Sequence, residues 1–168
     1  MCANRIGTIA IRGFGSEIVR ELIKLLPLRE NVVRIQRTDD NRLDADRYLF
    51  CAGVIRPKRR AGQTPEEIEE SLRVNYWQVT DDCERIIESN VRARICVIGS
   101  ESGFSGSFDD VYADAKACVH KYVERKQLKS PYQQLICIAP GIIQDADMTQ
   151  RRTDVDNLMR RRILHPKQ

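Results

Sequence analysis

Short apolar runs and longer stretches of helical period alternate along the chain. Thr8 to Ile11, Val32 to Ile35, Tyr48 to Cys51, Ile95 to Ile98 and Leu135 to Ile138 are rich in Ile and Val and bounded by Gly, Pro, Asp or Arg. Runs of this length without polar alternation read as strands buried on both faces, the pattern of a parallel sheet. Between them lie Ser16 to Leu26, Pro65 to Ser89 and Val111 to Leu128, each long enough for a helical crossover. The alternation predicts an α/β three-layer sandwich with a parallel sheet of about five strands.

One connection is too short for that scheme. About ten residues separate the strand ending near Arg37 from the one starting at Tyr48, enough for a helical turn but not for a helix packed across the sheet. These two strands are therefore expected not to be neighbours. With the Thr8 strand between them the order becomes 2-1-3-4-5, and the topological switch falls beside the first strand, where ligands bind at the carboxyl ends of the strands.

The second helix has the clearest start signal: Thr64 as N-cap, Pro65 in the first helical position and Glu67 three residues after the cap. Its inward stripe reads Ile68, Leu72, Asn75, Val79, Cys83 and Ile86. Asn75 is an amide on an apolar face, which a core asparagine bonded to a nearby carbonyl would explain.

Composition narrows the class. The 168 residues are 42% hydrophobic and 31% charged, which suits one globular domain over 1–168 and leaves no room for a second. No apolar stretch reaches the roughly 18 residues of a membrane span, and no signal-like segment opens the chain. Cys51, Cys96 and Cys137 sit in apolar strand-like runs without any CxxC pair, as small buried hydrophobes of a reducing, cytoplasmic protein. His120 and His165 have no ligand-spaced partners, so no metal site is expected. The net charge of +4 lies wholly after residue 150, where six basic residues face Asp154 and Asp156. A basic C-terminal helix or tail over 151–168 is expected; without interleaved aromatics it gives nucleic acid only a charge count in its favour.

Candidate chemistry gathers at the strand ends. The turn Arg12-Gly13-Phe14-Gly15-Ser16 follows the first strand and opens the first helix, where glycines and helix amides can receive a pyrophosphate. It is also an adequate capped turn without any ligand. Where a dinucleotide site for NAD places a carboxylate at the end of the second strand, this chain has Gln36-Arg37, which suits the 2′-phosphate of NADP better than NAD. Arg37 as a surface residue is the plainer alternative. Ser100 stands at the end of the fourth strand, and Tyr112 and Lys116 lie four apart on one helix face. Tyrosine has an ordinary pKa of about 10, and a cation one turn away favours its phenolate and brings it toward working range. The serine hydroxyl can then hold a carbonyl oxygen against it.

With Asn75 upstream, then Ser100, Tyr112 and Lys116 in order, and Ala139-Pro140-Gly141-Ile142-Ile143 after the last strand, the chain resembles the short-chain dehydrogenase/reductase family. Leu49-Phe50-Cys51-Ala52-Gly53 is similar to that family's Asn-Asn-Ala-Gly strand end, with Phe50 and Cys51 in the asparagine positions. The resemblance implies a Rossmann fold and hydride transfer between NAD(P) and an alcohol or carbonyl. It assigns Ser100 to substrate orientation, Tyr112 to proton transfer, Lys116 to the nicotinamide ribose and the tyrosine pKa, and Asn75 to a relay water. Gly13, Phe14, Gly15, Arg37, Cys51, Ala52, Gly53, Tyr112, Lys116, Pro140, Gly141 and Ile143 would line the cofactor. It also implies a homodimer through the two long helices, with Trp77 and Tyr122 as large side chains available for the interface.

The chain departs from the pattern in several places. The glycine loop is about four residues shorter, Arg12 replaces its Thr-Gly opening, and the segment between Arg37 and Tyr48 lacks an edge strand. Ser100 lies one residue nearer Tyr112 than is usual, which makes Ser102 a possible substitute, and Asp145 stands where a threonine commonly meets the nicotinamide amide. An NADP-preferring reductase is therefore one reading. A non-catalytic binding or regulatory protein that keeps the fold, and with it the nucleotide or not, is the other.

Overall fold

The computed structural model describes residues 7–27, 31–36, 45–56 and 58–143, together with the backbone strand at 163–164. Five strands, β1 (Thr8–Arg12), β2 (Asn31–Ile35), β3 (Arg47–Phe50), β4 (Arg94–Ile98) and β5 (Gln134–Ile138), form one sheet in the order β2-β1-β3-β4-β5. Every pairing is parallel, with Ile11 opposite both Arg34 and Leu49, and Cys96 opposite Leu49 and Ile136. The order expected from the short connection between β2 and β3 is thus the order observed. A further two-residue pairing, β6 (Ile142–Ile143) with β7 (Ile163–Leu164), is not signalled by the apolar pattern.

Helices pack on both faces of the sheet, but β5 is not buried on both faces as its apolar run suggests, since Ile136 and Ile138 are 52% and 51% exposed. α1 (Glu17–Leu25) packs Val19 against Ile9, Ile11, Leu49 and Cys51 on one side. On the other lie α2 (Pro65–Leu72), α3 (Gln78–Ser89) and α5 (Asp110–Arg125), where Val79, Cys83, Ile87 and Val119 meet Ala10, Tyr48, Phe50, Ile95 and Val97. Alternate residues of each strand go to opposite layers, so the strands need apolar side chains on both faces.

The crossover 65–89 is one helical rod interrupted by a π-turn at Arg73–Trp77, between α2 and α3. The capping box at its start forms as the sequence predicts, Thr64 accepting from the Glu67 amide and the Glu67 carboxylate accepting from the Thr64 amide. The extra residue in the π-turn shifts the phase of the inward stripe. Ser71, Val74, Asn75, Val79 and Cys83 are buried, while Ile68 and Leu72 are only half-buried.

Two expectations are adjusted. Cys51 is buried, but Cys96 and Cys137 are half-exposed strand residues; Cys51, Cys83, Cys96, Cys118 and Cys137 are all free thiols. Tyr122 is partly buried against the chain's own core, whereas Trp77 is 43% exposed. The expected basic segment 151–168 lies outside the described residues apart from the backbone of β7.

Candidate active site

The topological switch beside β1 opens into a cleft of about 730 Å³ at the carboxyl ends of the strands. Its floor is the β1–α1 turn. Gly13 has φ +88°, and a Cβ there would lie 2.4 Å from the Ala52 amide nitrogen, so glycine is required by both conformation and close approach to the chain after β3. Gly15 has the opposite surroundings, with nothing within 4 Å of where its Cβ would stand. Ser16 caps α1 by accepting from the Val19 amide at 3.2 Å and lies 3.0 Å from the Cys51 sulfur. Burial pushes the Cys51 thiol up in pKa against the opposing Ser16 contact and the Lys116 charge, so it stays a neutral side chain.

The shortened turn is braced by a residue the sequence reading left without a role. Arg12, only 5% exposed, pairs through Nε with Asp82 of α3 at 2.7 Å and donates from Nη1 to the Gln36 carbonyl at 3.1 Å. It ties the ends of β1 and β2 to the opposite helical layer, and a buried arginine needs such partners. The signal available in sequence was Asp82, an acid beside Cys83 in the inward stripe of α3. At the end of β2, Arg34 is exposed and lines the cleft; Arg37 lies outside the described residues. Glu17 also lines the cleft, with its carboxylate held by Arg20 at 2.5 Å.

Ser100, Tyr112 and Lys116 all line this same cleft, as do Ser102, Ala52, Gly53, Pro140, Gly141 and Ile143. Asp109 caps α5, accepting from the Tyr112 amide at 3.0 Å, so the tyrosine sits in the first turn. Lys116, one turn on, is 3% exposed; its ammonium donates to the Ile98 carbonyl at 3.0 Å and lies 5.7 Å from the centre of the Tyr112 ring. Burial pushes the Lys116 pKa down to about 8, with Cys51 and Cys137 acting weakly the other way. The Ser100 hydroxyl accepts from the Ser102 amide at 3.2 Å, folding the short helix α4 (Ser102–Ser105) back beneath it.

Asn75 is completely buried within the π-turn. Its amide donates to the Val54 carbonyl (2.8 Å) and to Ser71 Oγ (3.1 Å), and its carbonyl accepts from the Val54 amide (3.1 Å). This is the core-asparagine arrangement, clamping the chain that leaves β3 along the cleft. It uses both amide hydrogens and leaves one lone pair on Oδ1. Asp145, the remaining candidate near the cleft, lies outside the described residues.

The residues present fit a dinucleotide. Open space above Gly15, the amino end of α1, the exposed Arg34 and a buried cation at the far end form one continuous lining. Among the described residues no cluster of metal-ligating side chains is found, and no helix is long and apolar enough to cross a membrane.

No protein-family model and no curated protein matches the sequence. Solved structures do match in three dimensions. A short chain dehydrogenase family protein from Francisella tularensis superposes with a TM-score of 0.77 at 16% identity, covering 96% of this chain and 87% of that one. A short-chain dehydrogenase/reductase of glucose/ribitol dehydrogenase type from Brucella melitensis gives 0.75 at 16% identity, covering 95% and 84%. A 3-oxoacyl-[acyl-carrier protein] reductase from the same species gives 0.69 at 19% identity, covering 95% and 80%. The chain is therefore built on the Rossmann-like fold of short-chain dehydrogenase/reductase structures, its own sheet holding five parallel strands in the order 2-1-3-4-5.

Proposed function

We propose that this protein is an NADP-preferring oxidoreductase that interconverts a small carbonyl compound and its alcohol in the cleft beside β1. The observation that carries the reading is that Ser100, Tyr112 and Lys116 share one cleft with the Gly13–Ser16 turn, with the Lys116 ammonium buried 5.7 Å from the tyrosine ring. Gly15, the amino end of α1, Ala52, Gly53, Pro140 and Ile143 would hold the nucleotide, and Arg34 with Arg37 would take its 2′-phosphate. When bound, NADPH supplies the hydride.

The chain's own residues do the rest. The Ser100 hydroxyl donates to the substrate oxygen and fixes it near Tyr112. Tyr112 gives its phenolic proton to that oxygen during reduction and takes it back during oxidation. Lys116 stabilises the phenolate left behind and would hold the ribose, while its tie to Ile98 O keeps the ammonium in place. Asn75 acts on the geometry by holding residue 54, and the single lone pair left on Oδ1 is its remaining capacity toward a relay water.

The free thiols suit a reducing compartment, the cytoplasm. Pairing of two copies across α3 and α5, with the exposed Trp77 at the contact, would give a homodimer. The second reading, a nucleotide-binding protein without turnover, is favoured by the engagement of Ser100 Oγ and Asn75 with the chain itself.

Replacing Tyr112 with Phe separates the two readings. It removes the transferable proton and keeps the ring, so NADPH-dependent reduction of a test carbonyl should fall at least about 10²-fold with nucleotide affinity nearly unchanged. A Tyr112→Phe protein as fast as the parent would leave the non-catalytic reading standing.

A further inference from the structure

The stripe Tyr112–Lys116 continues one more turn to His120, a residue to which the proposed chemistry gives no task. His120 sits in a slot cut for an imidazole. A Cβ on Gly99 would lie 2.4 Å from its Nε2 and one on Gly103 would lie 2.6 Å from its Cε1, so two glycines make the space. Phe104 of α4 closes the slot, its ring stacked on the imidazole with centroids 4.3 Å apart. In this position His120 Nε2 accepts a hydrogen bond from the Ser100 amide at 3.3 Å.

That bond exists only for the neutral ring, because an imidazolium donates at both nitrogens and has no lone pair to offer. We propose that neutral His120 is a positioning residue for Ser100, holding its backbone, and through it the hydroxyl, in the cleft, and that protonation of His120 releases it. This rests on the reductase reading for its catalytic consequence, though not for the Ser100–His120 tie itself.

The groups facing the imidazole agree with a neutral resting state. From α5, Lys116 presents a cation one turn away; from β5, Cys137 presents a thiol whose sulfur would lie 2.7 Å from a Cβ on Gly99. α4 contributes Gly103 and the Phe104 ring, and the end of β4 the Gly99–Ser100 backbone, none of them titratable. Burial first, and the Lys116 charge second, push the His120 pKa below its ordinary 6.5. Ser100 is thus held at neutral pH and released in the acid range. A protonated His120 would also stand against the Lys116 ammonium, which is fully charged there because its own pKa is about 8.

The test is a pH titration of the full chain from 8 to 5, following the Ser100 amide and the His120 ring by ¹⁵N NMR, alongside NADPH-dependent turnover. Both resonances should move with one midpoint below 6.5. In parallel kcat should fall about fivefold or more, the equivalent of one hydrogen bond, while the KM for NADPH changes less than about twofold. His120→Gln keeps an acceptor that does not titrate, so it should abolish the Ser100 titration and flatten the acid limb of kcat. A Ser100 amide that ignores the His120 midpoint in the parent would overturn the proposal without need of any variant. So would an acid limb unchanged in a folded His120→Gln protein. If no turnover is found but the two resonances titrate together, the tie stands and the reductase reading is the part that fails.

Discussion

Lys116 shows what the site demands of single residues. An ammonium with 3% of its surface exposed, and with a carbonyl and, among the described residues, no carboxylate against it, is charged at neutral pH at the expense of the fold. With its pKa pushed from 10.5 to about 8, the cost of keeping it protonated at pH 7 is about 3 kcal/mol. Lys116→Met removes that cost and leaves the Ile98 carbonyl without its donor, a loss of about 1–3 kcal/mol. The variant should therefore be no less stable than the parent at pH 7. Between pH 8 and 10.5 the unfolded chain holds the lysine proton and the folded chain does not, so the parent should gain stability relative to the variant as pH rises through that window. Denaturant melts at pH 7 and pH 10 check both signs; a variant much weaker at pH 7 with no pH trend would mean that Lys116 is an ordinary structural contact. The same scale separates the two glycines of the turn, since Gly13 is pinned by the chain after β3 and Gly15 faces open space.

At the scale of elements, the chain leaving β3 and the helix bearing Tyr112 are fastened together by one buried carboxylate. Asp109, 1% exposed, accepts from the Arg56 amide at 2.7 Å, from Gln63 Nε2 at 3.0 Å and from the Tyr112 amide at 3.0 Å. Asp109→Ala leaves all three donors without their acceptor and removes the helix cap, so the unfolding free energy should fall by about 2–4 kcal/mol in a urea titration. A change within about 0.5 kcal/mol would show that the strap over 54–63 is held elsewhere. This clamp was not legible in the sequence, because its partners are 46 and 53 residues away. The elements themselves were legible: the apolar runs are the five strands, of which β1, β3 and β4 are inner while β2 and β5 form the edges, and the short connection from β2 to β3 agrees with the 2-1-3-4-5 order. The π-turn was not, since periodicity assumes a constant 3.6 residues per turn and Asn75 reads the same on either side of the insertion. The Ser100, Tyr112 and Lys116 placement followed from strand-end and same-face geometry, whereas the Arg12–Asp82 pair and the His120 slot depend on tertiary approach alone.

For the whole molecule, the cleft and the Rossmann-like sheet order suit a nucleotide, and the proposed dimer would draw on one exposed tryptophan. An exposed Trp77 at the junction of the π-turn and α3 is an anchor of the kind that interfaces bury. Light scattering at micromolar concentration should give about twice 19.4 kDa, and Trp77→Glu should lower it toward the single-chain mass; a monomer in the parent would remove the dimer from the account. Despite its shortened glycine turn, this Rossmann-like chain is proposed to take NADP at the carboxyl edge of its sheet. Calorimetric titration of the parent with NADPH and with NADH tests that directly. One site per chain is expected, with a preference for NADPH of about tenfold to a hundredfold, the worth of a charge-assisted bond from arginine to the 2′-phosphate. Equal affinities would remove the arginine argument, and no heat from either nucleotide would contradict the account as a whole.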